Sequence, residues 1–194
     1  MSTSVRVTVA QYDAMIARGE FEPREDHHVE LIEGEIVPMS PIGPMHDDVA
    51  EKITEWSYEN RPNAKVWVRG SVGFPRLDSA PEPDLAWVRR KPYRRARPGP
   101  ADLLLIVEVA DSTLPFDRGE KAGLYARAGV ADYWIVSIPD RHVEVRRDPL
   151  GGTYRSIRTF AIGESIPLLA FPELSFPVAT AFADEDDDDR DEPA

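Results

Sequence analysis

LLLIVEVA (Leu103–Ala110) is apolar on both faces except at one position. A strand of period two puts Glu108 on the face of Leu104, Ile106 and Ala110, with Leu105, Val107 and Val109 opposite. Apolar character on both faces marks a central strand covered from both sides. An unpaired carboxylate there costs several kcal/mol, so Glu108 has to be protonated, ion-paired, metal-bound or placed at the strand end facing a cleft. A helix follows in DRGEKAGLYARAGV (117–130), starting at Asp117 and ending at Gly129, and then a second apolar run, DYWIVS (Asp132–Ser137). Strand, helix and strand in that order predict a βαβ crossover inside a mixed sheet.

The rest of the chain is read around this unit. TVAQYDAMIARGE (8–20) predicts a short helix with Thr8 as its N-cap and Gly19 as its stop. HHVELIEGEIVPMS (27–40) predicts two short strands about a turn at Glu33 and Gly34. PMHDDVAEKITEWSYENRP (44–62) is helical, with Met45, Val49, Ile53 and Trp56 at helical spacing. AKVWVRGSVGFPRL (64–77) gives two short strands and PDLAWVRR (83–90) a third. Beyond the crossover, turns at Pro139 and Asp140 and at Gly151 and Gly152 separate further strands. The class is therefore α/β (or α+β): a central mixed β-sheet flanked by helices.

With 194 residues the chain suits one domain and is short for two. Residues 1–182 read as that domain and 183–194 as an acidic, disordered tail. The run DEDDDDRDE (184–192) holds −7 of the net charge of −12, which leaves −5 elsewhere. There is no cysteine, which excludes disulfides, thiolate zinc sites and cysteine nucleophiles, and points to a reducing cytoplasm. MSTSVRVTV (1–9) lacks a signal-peptide core, and no apolar run approaches the roughly 20 residues of a membrane span. One segment is basic, VRRKPYRRARP (88–98). Its Arg89, Arg90, Lys91, Arg94 and Arg95 are candidate phosphate contacts.

Glu108 gains meaning from two other residues. Asp84 opens the strand of Ala86 and Val88 and shares their face, behind a proline with no N–H to donate. On its own it reads as a turn aspartate. Lys121 stands on the helix face of Leu124, Tyr125 and Ala128, where an apolar residue is expected. It points either inward to Glu108 or outward to Asp117, while Asp117 with Glu120 also resembles a capping box. Two carboxylates suit Mg²⁺ or Mn²⁺, and an adjacent amine can orient a water or steady phosphoryl charge. Glycoside hydrolysis also uses two carboxylates, but needs no inward lysine. The four tryptophans, Trp56, Trp67, Trp87 and Trp134, fit core positions. His27 and His28 have no metal-site spacing.

The order of Asp84 and, 24 residues on, Glu108 resembles the PD-(D/E)XK nuclease superfamily. More narrowly, VELIEGEIVPMSPIGPMH, PEPDLAWV, LLLIVEVADST, DRGEKAGLYARAGVADYWIV and RHVEV together resemble the Uma family of restriction-endonuclease-like proteins, over roughly 29–145. The resemblance implies a restriction-endonuclease-like fold and an Mg²⁺-dependent DNA endonuclease, with Asp84 and Glu108 as metal ligands. It also implies a homodimer by fold analogy, and brings Glu30 and His46 in as further site positions. Glu30 otherwise reads as an ordinary exposed strand residue, and His46 as a capping or packing histidine. The superfamily pattern places a lysine two residues after the acidic position, where this chain has Ala110; the Uma pattern moves it to the following helix, at Lys121. A binding or scaffold protein that kept the fold and lost turnover is the rival expectation.

Overall fold

The computed structural model describes residues 6–21, 28–94 and 96–183. His27, Arg95 and the acidic run at 184–192 lie outside the described residues.

Six strands make the central sheet in the order β3-β4-β5-β6-β7-β8. They are β3 (Ala64–Val68), β4 (Leu85–Arg89), β5 (Leu103–Ala110), β6 (Asp132–Ser137), β7 (His142–Leu150) and β8 (Thr153–Ala161). β5 and β6 are parallel and every other neighbouring pair is antiparallel, so the predicted crossover is present in a mixed sheet. The period-two reading holds across both faces. Leu85, Trp87, Leu105, Val107, Val109, Trp134 and Val136 pack one side. Ala86, Val88, Ile106, Ala110, Tyr133 and Ile135 pack the other.

Helix α2 (Pro44–Asn60) covers the first side with Val49 and Ile53, helped by the terminal helix α5 (Val178–Phe182). Met45 does not join that stripe: it is 56% exposed, and His46 is buried instead. The second side is covered by the crossover helix, which starts earlier than the sequence predicts. It comprises α3 (Leu114–Phe116), a π-helical turn (Asp117–Lys121) and α4 (Ala122–Ala128), stopped by Gly129 at φ +81°. No side-chain cap forms at Asp117. The Ala122 N–H reaches back five residues to the Asp117 carbonyl, and the Tyr133 hydroxyl of β6 donates to the same oxygen at 3.0 Å.

The hairpin of β1 (Val29–Ile32) and β2 (Glu35–Pro38) turns on Glu33 and Gly34, both at positive φ, the geometry a two-residue hairpin favours. Leu31 pairs with Ala80, and the Ser79 hydroxyl accepts from the Glu33 N–H at 2.8 Å. These contacts dock the hairpin on the segment leading into β4. Helix α1 (Val9–Ala17) has the expected Thr8 cap, with Gln11 completing a capping box. Residues 70–77 do not form the second strand predicted there. Gly70, Gly73 and Pro75 break the ladder into a single bridge, Phe74 to Ser79, and a short 3₁₀ turn. The C-terminal region adds β9 (Ser165–Pro167) paired with β10 (Ser175–Pro177).

Candidate active site

The register of the sheet lines up the acidic residues. Leu85 pairs with Val107, so Asp84, one residue earlier, stands beside Glu108 where β4 begins and β5 nears its end. The Asp84 carboxylate accepts the Val109 N–H at 2.8 Å through Oδ2, which fixes it against β5. His46, at the start of α2, brings Nε2 to 3.2 Å from the same oxygen. Both sit at the wall of a cavity of about 400 Å³. Residues 38–43 and 111–113 also line it.

Lys121 points inward. Its Nζ donates to Glu108 Oε1 at 3.0 Å and lies 3.6 Å from Glu30 Oε2. Asp117 and Lys121, four residues apart in the π-helical turn, are both buried. Tyr125, one helical turn on, donates its hydroxyl to Glu108 Oε1 at 2.6 Å. Glu30 is buried, not exposed as its strand alone suggests; its Oε2 accepts the Glu82 N–H at 3.1 Å. Three residues of the site were not legible in the sequence. Tyr125 reads as an ordinary apolar position, Asp117 as a cap, and Glu82 as loop.

The electrostatics are one-sided. Glu30, Glu82, Asp84, Glu108, Asp111 and Asp117 line the cavity, against one ammonium, that of Lys121. Burial pushes Glu108 up to about 8, overcoming the pull of Lys121, with Asp84, Asp117 and Glu30 adding to the rise. Burial likewise raises Asp117 to about 6, and its Oδ2 is buried with no partner among the described residues. Burial alone would lower Lys121, but Glu108, Glu30 and Asp117 outweigh it and hold the amine firmly protonated. The groups form one coupled cluster in which a single ammonium cannot balance all the carboxylates.

Excess negative charge and hard oxygen donors suit a divalent cation. No three His, Asp or Glu side chains among the described residues gather into a ready metal cage. Two neighbouring carboxylates are nonetheless the usual protein share of an Mg²⁺ shell that is otherwise water and substrate oxygen. Asp84 and Glu108 fit that role.

The basic segment is elsewhere. From Asp84 to Arg89 the strand runs five residues, about 17 Å, away from the cavity. Arg90 and Arg94 are exposed, Lys91 pairs with Asp102 at 2.6 Å, and the Arg89 Nε donates to the Ala101 carbonyl at 2.9 Å.

A helix-flanked mixed sheet that gathers acids and an amine at the end of its central strands has a nuclease-like fold. A crystal structure described as a putative nuclease belonging to DUF820, from Anabaena variabilis, superposes with a TM-score of 0.67 over 91% of this chain and 98% of that one, at 15% identity. The chain belongs to the Uma2 family, described as "Putative restriction endonuclease", whose profile matches residues 9–179. No curated protein is detectably similar in sequence.

Proposed function

We propose that the chain is an Mg²⁺-dependent endonuclease that hydrolyses DNA phosphodiester bonds, with Mn²⁺ as an alternative ion. The observation that carries this reading is the contact of Lys121 with Glu108, beside Asp84, in a cavity with excess carboxylate. A bound Mg²⁺ supplies Lewis-acid activation of water and of a phosphoryl oxygen. Asp84 and Glu108 are the residues to hold it. The Val109 N–H and His46 orient Asp84; Tyr125 orients Glu108. Lys121, held protonated, is a donor and not a general base: it can orient the attacking water and balance charge building on phosphorus. Residues 38–43 line one side of the cavity. A homodimer would offer one site to each DNA strand.

The test is nicking of supercoiled plasmid with Mg²⁺ or Mn²⁺ by the parent and by Asp84→Ala, Glu108→Ala and Lys121→Ala. We expect cleavage by the parent and its loss in all three. Equal cleavage by parent and variants would show a contaminating activity. DNA binding with no cleavage by any of them would point to the scaffold reading.

A further inference from the structure

Acidic side chains line the cavity against a single ammonium, so a nucleic acid that reaches it has to be held by cations outside the wall. The basic segment after β4 stands at the wrong end of the strand and is partly engaged by Asp102 and the Ala101 carbonyl. Two other guanidiniums flank the acids along the sheet end.

Arg69 follows β3 directly, and its backbone N–H donates to the Asp84 carbonyl at 3.1 Å. On the opposite flank, Glu108 pairs with Ile135 and Ile135 with Glu144, so Glu144 extends the row two strands beyond Glu108. Glu144 is buried, and accepts from Arg118 Nε at 2.6 Å and from Arg146 at 2.9 Å. Those arginines outweigh the effect of burial and hold its carboxyl below the usual range. Glu144 therefore stays charged and fixes Arg118, whose side chain is still 40% exposed.

We propose that a nucleic-acid strand crosses the end of the sheet along this row, its phosphates held by Arg69 on one flank and Arg118 on the other, with the carboxylates midway. The inference rests on the nuclease reading above and gives it a direction. Each flank lies two strands from β5, about 10 Å, so the stations stand about 19 Å apart. That span is roughly the rise of five to six base pairs along a duplex.

The two stations differ. Arg118 is fixed on a buried carboxylate. Arg69 pairs with Asp47, and both side chains are about half exposed, at 47% and 55%. An exposed pair of that kind is weak and yields to a phosphate. Asp47 thus competes with DNA for Arg69, and removing its charge strengthens binding.

The experiment is fluorescence anisotropy with a short labelled DNA duplex and the matching single strand, in EDTA so that neither is cut, between about 50 and 200 mM salt. Arg69→Ala and Arg118→Gln are each expected to weaken binding and to flatten the slope of log K against log salt by about 0.9. Asp47→Asn is expected to tighten binding. The triple change Arg90→Ala, Lys91→Ala and Arg94→Ala is expected to leave affinity and slope unchanged. If the triple variant flattens the slope while Arg69→Ala and Asp47→Asn do not move it, the track is wrong; plasmid nicking then still decides the nuclease reading. A parent that binds neither probe at any salt overturns the track and the DNA assignment together. Arg118→Gln removes one of the two arginines paired with a buried glutamate, so its melting temperature is measured beside its affinity. The Arg69 and Asp47 variants are at the surface and carry the test without it.

Discussion

Glu108 is an ordinary carboxylic acid made weaker by its surroundings. Its folded pKa of about 8 stands above the usual 4.5, so the folded state holds the proton more tightly than the unfolded chain. The stability this gives is full below about 4.5 and is lost as pH rises through about 8. In EDTA the parent should therefore melt lower at pH 8 than at pH 5, and Glu108→Gln, which mimics the neutral acid, should flatten that fall. Parallel melting profiles would remove the basis for a proton on Glu108. Tyr125 makes a second test. Tyr125→Phe keeps its packing on Phe74 and Tyr133 but deletes the 2.6 Å bond to Glu108. Loss of such an orienting bond typically costs about 10–100-fold in activity or metal affinity, and plasmid nicking against Mg²⁺ concentration would read it. At this scale the sequence was informative where a polar residue interrupts an apolar period, as at Glu108 and Lys121. It was silent on Glu30, because Glu30, Glu33 and Glu35 are alike in a short hairpin and only docking on Ala80 decides which is buried. Tyr125 was silent for the converse reason: its ring satisfies the apolar stripe, and its hydroxyl leaves no mark on the pattern.

Among the elements, the crossover helix shows how far local rules reach. Its face of Lys121, Leu124 and Tyr125 was legible from the 3.6-residue period, and so was its stop at Gly129. Its start was not. Thr113, Leu114 and Pro115 open it, so Asp117 lies inside the helix, in the π-helical turn, and lines the cavity instead of capping. The Asp117 carbonyl in that turn accepts the Tyr133 hydroxyl from a strand later in the chain, a contact that no local pattern announces. Residues 70–77 failed as a strand for a local reason, two glycines and a proline in eight positions. The stop at Gly129 carries a simple expectation. Its φ of +81° is strained for any L side chain although a Cβ would meet nothing within 4 Å. Gly129→Ala should therefore lower stability by about 1–2 kcal/mol with unchanged cleavage at permissive temperature, measured by urea melts. An unchanged midpoint would mean that the helix end relaxes freely.

For the whole molecule, a cation that binds only the folded chain must stabilise it by mass action. At an ion concentration of 100 times Kd the gain is about 2.7 kcal/mol. Mg²⁺ is expected to raise the melting temperature of the parent and to leave Asp84→Asn unmoved. Equal shifts in both would place the ion elsewhere. The net charge of −12 makes any contact with DNA a local affair of a few arginines against a repelling background, which the sequence total alone does not reveal. The chain path to the site has a further consequence, in folding order. Glu30 meets Glu82 across 52 positions, whereas Glu108 and Lys121 are 13 apart. Closing the larger loop costs more entropy, so the crossover is expected to form before the hairpin docks. A chain arrested before that docking holds the Glu108–Lys121 pair but lacks Glu30 and the hairpin side of the cavity, so the acidic cluster is complete only once the hairpin is in place.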